Sequence, residues 1–314
     1  MRGRRAGIVS AATIRAARAT DQQALAALWA TAFTPPLSPD QWLVDDERLA
    51  HTRVAEDDEG LCGSIYGLPK RLRESDGGIA AVHAIGSVAV AERARGQGLA
   101  RRLVAATLQA AGDADWALLF TGTPEVYRSS GFETFSMART VAGPWRAATP
   151  AAVGTEGRVV RESVGLGSLR PVREVYERSR SDLVLAPVRG DRDWAMAEVR
   201  LRGATLYRRI EGSTVVGYAV AEPRGGVGVL LESAVLPGAD GARDDLLAAI
   251  AVDWASAGVT SCELAVPALP EEDRALRAFA PEAVRQDDRT GMIRPLRRAA
   301  RLHGIRHFTA GDYF

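Results

Sequence analysis

The sequence has 314 residues, 46% of them hydrophobic and 25% charged, a length and composition that suit two globular domains with ordinary cores. Lys and Arg number 40 against 39 Asp and Glu, so no basic excess marks a nucleic-acid or anionic-membrane partner. Cys62 and Cys262 supply the only thiols, which excludes a disulfide framework or a cysteine zinc cluster and suits a cytoplasmic protein without metal.

Met1-Arg2-Gly3-Arg4-Arg5 has the charge of a signal peptide, but Ser10, Thr13 and Arg15 interrupt the apolar run that export needs. Residues 1–12 are therefore expected to form a flexible leader. No stretch approaches the roughly 18 consecutive apolar residues of a membrane span. A strand is expected at 13–18, then a helix opened by a capping box of Thr20 and Gln23. Leu25, Leu28, Trp29, Ala32 and Phe33 follow at helical spacing until Pro35-Pro36 stops the helix. Ser38-Pro39-Asp40-Gln41 opens a second short helix beside Trp42. Strands are expected at 51–56, 61–72 and 79–91, the first two joined as a hairpin by Asp57-Asp58-Glu59-Gly60. A helix over 97–112, a strand at 116–121, a short helix at 124–130 and a strand pair over 132–141 complete a first domain. Gly143-Pro144, Pro150 and Gly154 among alanines mark 142–157 as a linker. The order of elements then returns: a strand at 158–162, a helix at 168–180, strands at 204–210, 214–222 and 227–236, a helix at 242–257 and a strand at 261–266. The chain thus reads as two tandem α/β domains, 13–141 and 158–296, followed by a tail at 297–314.

The sharpest motif is Ile85-Gly86-Ser87-Val88-Ala89-Val90 followed, after four residues, by Arg95-Gly96-Gln97-Gly98-Leu99-Ala100. A buried strand delivers the chain to a glycine-rich turn, and a helix leaves it. The first amides of a helix have no internal partner, so a pyrophosphate placed there gains hydrogen bonds and the favourable end of the dipole. Taken alone, such a turn also serves as an ordinary helix start. A Rossmann fingerprint is excluded by Arg101 at the third glycine position, and a P-loop by the lack of Gly-Lys-Ser/Thr.

Together these residues resemble the GCN5-related N-acetyltransferase (GNAT) superfamily, whose signature is Arg/Gln-x-x-Gly-x-Gly/Ala after a strand ending in Val-x-Val. Arg95, Gly98 and Ala100 fit the turn, and Val88 and Val90 fit the strand. The resemblance implies an acetyl-CoA-dependent enzyme with a mixed, mostly antiparallel sheet flanked by helices. It implies that the backbone of Val88, Ala89 and Val90 binds the pantetheine arm, and that Arg95, Gly96, Gln97, Gly98, Leu99 and Ala100 hold the pyrophosphate. In the same superfamily a tyrosine ahead of a Gly-Phe pair often protonates the departing thiolate, and Tyr127, before Gly131-Phe132, stands at that position. A phenol within reach of the sulfur can act as that acid; otherwise Tyr127 packs its helix on the sheet. His83, on the same central strand, is a base, a substrate contact or a structural histidine.

The second domain lacks the signature. Leu236 to Asp245 offers Asp240, Asp244 and Asp245 where phosphates would sit, so this half is expected to bind no CoA and to wall the acceptor pocket. The arrangement resembles the enhanced-intracellular-survival (Eis) acetyltransferases, with an active first domain and a degenerate second one. Mycothiol synthase, also tandem, keeps its working turn in the C-terminal half. The residues after 296 are too few for the sterol-carrier-like third domain of the Eis type. In that family a terminal phenylalanine brings its carboxylate into the active site as the base, which makes Phe314 the second catalytic candidate beside Tyr127. Trp29, Phe33 and Trp42 lie on helices that cover the acceptor side in this fold, where they either stack on a cationic amine or belong to the core. The expected reaction is direct transfer of an acetyl group to a primary amine of a small molecule or a lysine-like acceptor. A peptide or natural-product amine, or a non-catalytic acyl-CoA sensor, remains as an alternative. A homo-oligomer is left open.

Overall fold

The computed structural model of the protein describes residues 12–33, 46–146, 157–239 and 241–314. The leader to residue 11, the short helix that would hold Trp42, Asp240 and most of the expected linker lie outside the described residues. The first half contains β1 (Thr13–Ala16), α1 (Gln22–Ala32), α2 (Asp46–Ala50), β2 (Thr52–Asp57), β3 (Gly60–Arg73), β4 (Ile79–Val90), α3 (Leu99–Gln109), β5 (Trp116–Phe120), α4 (Glu125–Arg128), β6 (Glu133–Thr134) and β7 (Met137–Pro144). The second half contains β8 (Gly157–Ser163), α5 (Arg173–Ser179), α6 (Asp191–Arg200), β9 (Thr205–Glu211), β10 (Thr214–Arg224), β11 (Val227–Val235), α7 (Gly241–Ser256), β12 (Ser261–Ala265), α8 (Pro270–Phe279), β13 (Val284–Asp288) and β14 (Gly291–Pro295).

These strands form two seven-stranded mixed sheets, ordered β1-β2-β3-β4-β5-β14-β6 and β13-β7-β12-β11-β10-β9-β8. Each contains a single parallel pair, β4 with β5 and β11 with β12. The fold class is the expected one: two α/β units with mixed sheets flanked by helices. The sheets nevertheless exchange strands. β14, near the end of the chain, lies between β5 and β6 of the first sheet. The strand pair expected to close the first unit over 132–141 is divided between the sheets: β6 stays in the first, and β7 lies between β12 and β13 of the second. Strand β7 also runs through Gly143 to Pro144, where a linker was expected. Proline is tolerated at a strand end, where no ladder amide is needed, so composition alone could not exclude a strand there.

Helix α3 shows why the first half folds as it does. Leu99, Leu103, Val104 and Thr107 recur at helical spacing and are buried against the sheet with Ile65, Ile85 and Leu119. The start of α1 differs from the expected Thr20–Gln23 box. The Asp21 carboxylate accepts the Arg18 amide at 2.8 Å and both terminal nitrogens of Arg15, at 2.7 and 2.9 Å. A carboxylate that also pairs with a guanidinium is the stronger acceptor, so the cap falls there. Beyond β14 the chain returns across the first half. The Ser75 hydroxyl donates to the carbonyls of Arg301 (3.0 Å) and His303 (2.8 Å), and the chain ends with buried Phe308 and Phe314. Among the described residues no helix is long and apolar enough to cross a membrane.

Candidate functional site

β4 and β5 pair in parallel only from Val82/Trp116 to Ile85/Leu119. Past Ile85 the chain bulges: Ser87 has φ 49°, and the register against β3 shifts between Tyr66↔Gly86 and Ser64↔Ala89. A bulge bends its strand away from its neighbour. The backbone of 86–90 is thereby left without a strand partner on the β5 side, open to a ligand. Val88 and Val90 are half-buried there, while Ala89 points into the core. Polar side chains hold the bulge from below. Arg48 Nη2 donates to Ser87 Oγ at 2.8 Å, and Ser64 Oγ donates to the Ser87 carbonyl at 3.3 Å. Trp29 Nε1 donates to Ser64 Oγ at 2.8 Å, and the Arg48 guanidinium lies 4.1 Å from the Tyr66 ring centre.

The glycine-rich turn follows directly. Gly98, with φ 71°, is the residue before α3, and Gly96 has φ 76°. Both values favour glycine. A Cβ at either would meet nothing within 4 Å, so the turn faces open space. Arg95 Nε donates to the Val90 carbonyl at 3.3 Å and Gln97 Nε2 to the Arg93 carbonyl at 3.2 Å, which ties the turn to the strand end. Leu99 is buried in the core, so only its backbone is available to a ligand. Val90, Arg95, Gly96, Gly98 and Ala100 line a cavity of about 410 Å³ together with Glu125, Val126 and Ser129 of α4. An open helix start flanked by Arg95 fits a pyrophosphate.

Tyr127 lies on α4, buried, with its ring 6.3 Å from that of Phe132. Among the described residues its hydroxyl has no hydrogen-bond partner, and burial pushes the phenol up to about 12. His83 is buried on the α3 face of the sheet, with Nε2 3.0 Å from Thr107 Oγ1. That contact anchors α3 to the sheet. Trp29 belongs to the core with Leu25, Leu28 and Leu49, and Phe33 packs against that cluster. Trp42 lies outside the described residues.

Phe314 stands against the bulge. A Cβ at position 86 would come 2.7 Å from the Phe314 backbone oxygen, an approach that only Gly86 permits. The Phe314 ring packs near Phe120, with centres 6.2 Å apart, and Phe308, at 6.3 Å. A buried ionic cluster from the second half fixes this tail. Asp312 accepts Arg189 Nη2 at 2.6 Å, Tyr176 Oη at 2.8 Å and the Thr309 amide at 2.8 Å. Glu232 accepts Arg189 Nη1 at 3.1 Å, Tyr218 Oη at 2.6 Å and Thr309 Oγ1 at 2.6 Å. Although burial pushes the Asp312 carboxyl up, Arg189 outweighs it and holds the group below the usual carboxylate range.

In the second half β11 and β12 likewise pair only as far as Leu230/Leu264, and the end of β11 borders a cavity of about 280 Å³ lined by Val235, Leu236, Gly238 and Arg243. Glu232, just beyond the pairing, is buried with Arg189. Sequence reasoning missed Arg48, Ser87, Arg189, Glu232 and Asp312. Nothing in their spacing separates them from ordinary surface charges, because their partners lie far away in the chain.

The acetyltransferase (GNAT) domain family matches residues 13–135. No curated protein matches the sequence. Among solved structures, a GCN5-related N-acetyltransferase from Anabaena variabilis superposes with a TM-score of 0.68 at 20% identity, over 91% of this chain and 73% of that one. A probable N-acyltransferase from Enterococcus faecalis gives 0.69 at 17% identity, over 92% and 73% of the two chains. Eis1 from Mycobacterium abscessus gives 0.63 at 15% identity, over 91% and 73%. At such identities the likeness is one of fold, and it runs through both halves, consistent with an Eis-like tandem arrangement. Residues 13–135, less than half of the chain, carry the match to the GNAT acetyltransferase domain.

Proposed function

We propose that the protein transfers an acetyl group from acetyl-CoA to a primary amine by direct attack in a ternary complex. The observation that carries this reading is the shared cavity, in which the open glycine turn at the start of α3 faces α4, the helix of Tyr127. Backbone amides of 96–100 and Arg95 bind the pyrophosphate, and the unpaired edge of Val88 and Val90 takes the pantetheine arm. Bound acetyl-CoA supplies the acyl group as a thioester. Tyr127 keeps its proton at neutral pH and gives it to the departing sulfur. The second half holds the tail, through Arg189 and Asp312, against the site.

The Phe314 carboxylate, set beside Gly86, holds the acceptor ammonium and receives its proton. A free α-carboxyl titrates at roughly 3.3–3.7, so it is ionised at neutral pH and can hold an ammonium group. Thiol release from acetyl-CoA over a panel of amines tests the transfer. A protein that binds acetyl-CoA but releases no thiol with any amine is a sensor instead. Adding residues after Phe314, or deleting it, should abolish most turnover while acetyl-CoA binding persists. Equal turnover by extended and unextended chains would remove the carboxylate from the mechanism.

A further inference from the structure

Arg200 closes α6 on the face turned toward the first half. Asp193, two turns earlier on the same stripe, pairs with Lys70 of β3, and Met196 between them is buried. Among the described residues, Arg48, Tyr66 and Tyr313 are the ionisable groups that act on Arg200. Tyr66 pairs with Gly86 across β3 and β4, and Gly86 is where the Phe314 oxygen stands. Arg200 therefore lies on the acceptor side of the site, beside the bulge and the end of the tail.

The other cations of this region are engaged. Arg192 pairs with Glu47 at 2.8 Å and donates to Tyr66 Oη at 3.1 Å, Lys70 pairs with Asp193, and Arg48 donates to Ser87. Arg200 is different. Among the described residues it makes no ion pair and no side-chain hydrogen bond, and its Nε is buried without a partner. Yet the residue as a whole is only half-buried. Burial first, and then the like charge of Arg48, lower its pKa to about 10, which still leaves it charged at neutral pH. A deep guanidinium without an anion costs stability that a ligand can return.

We propose that Arg200 binds a carboxylate of the acceptor, so that the acceptor is a zwitterionic amino acid whose amine meets Phe314 and whose carboxylate meets Arg200. This rests on the transfer reading given above. A polycationic acceptor fits poorly, because Arg48 and Arg200 would repel it. The reaction balances: the amine nitrogen forms a bond to the acyl carbon, the carbon–sulfur bond breaks, the ammonium proton goes to the Phe314 carboxylate, and Tyr127 protonates the thiolate. A guanidinium is suited to this task because its planar fork matches a carboxylate.

The test compares α- and ω-amino acids with their primary amides and with the corresponding amines lacking the carboxyl, for the wild type, Arg200→Gln and Arg200→Lys. The wild type should prefer the carboxylate-bearing amines. Arg200→Gln should raise KM for those alone by roughly 10–100-fold, the range set by a hydrogen bond to a charged group, and Arg200→Lys should restore part of it. Acetyl-CoA binding, measured on the same samples, should be retained and reports an intact fold. Calorimetric titration of the amino acids separates the two readings. Arg200-dependent binding without turnover would sink the transferase reading and keep the carboxylate subsite. Equal losses on carboxylates and amides, or a wild type that prefers polyamines, would overturn the subsite.

Discussion

Tyr127 is suited to its proposed role because burial denies the phenolate its water. A phenol pushed up to about 12 is fully protonated at neutral pH, so it can donate but cannot serve as a base there. Tyr127→Phe removes only the hydroxyl and leaves the ring on Phe132. Turnover should fall by about 10²–10⁴-fold, the usual range for a general acid, with acetyl-CoA affinity near normal; unchanged turnover would make the residue a packing group only. His83 carries the opposite logic. Burial, reinforced by His51, lowers its pKa to about 4, so the folded state favours the neutral ring. Between about 6.5 and 4 the unfolded chain binds the extra proton, and stability should decline as pH falls through that window, by up to roughly 3 kcal/mol. Urea midpoints measured at pH 7 and pH 4.5 check this against His83→Gln, which should lose part of the slope. Of these residues Tyr127 was legible, because it stands in a local motif. Arg48 and Arg189 were not, because a buried arginine is identified only by partners that arrive from elsewhere in the fold.

At the scale of elements, the strand, bulge, turn and helix from Ile79 to Gln109 form one device. The strand loses its neighbour at Ile85, and the left-handed Gly98 then turns the first amides of α3 outward. Gly98→Glu would add a carboxylate where phosphate is expected and strain a φ of 71°. It should abolish the thermal shift that acetyl-CoA produces by binding the folded state. A full shift in that variant would show that the turn is not the phosphate site. Most of this device was legible, since a strand ending in Val-Ala-Val, then arginine with two glycines, then an amphipathic run each carry a local signal. Ends moved by one to three residues, as fraying and cap chemistry dictate. The bulge at Ser87 was not legible, because a serine with positive φ is set by the contacts of Ser64 and Arg48, not by its own preference. Strands β13 and β14, helix α6 and helix α8 also went unread. Val284–Asp288 and Gly291–Pro295 are short and half-polar, and only their neighbours make them strands.

The whole molecule is knitted by crossings that a tandem reading does not anticipate. β14 completes the first sheet from the far end of the chain; its Met292 is fully buried opposite Leu119, worth roughly 2 kcal/mol on burial alone. β7 makes the reciprocal crossing into the second sheet. The chain at 183–188 also extends the β3 ladder, with Arg73 N donating to the Ala186 carbonyl at 3.0 Å and Leu185 N to the Arg73 carbonyl at 2.8 Å. Cut after residue 146, the first half would keep the glycine turn but lose β14, leaving β5 as an unpaired apolar edge next to the core that holds Tyr127. Such an edge invites aggregation, and the lost strand would free α4 from its support. The intact chain should therefore unfold in one cooperative transition by calorimetry. Fragment 1–146 alone should aggregate or bind acetyl-CoA far more weakly, and coexpression with 147–314 should restore binding. Two well-separated transitions, or a soluble 1–146 fragment with normal affinity, would mean that the strand exchange contributes little and that the halves fold as independent units.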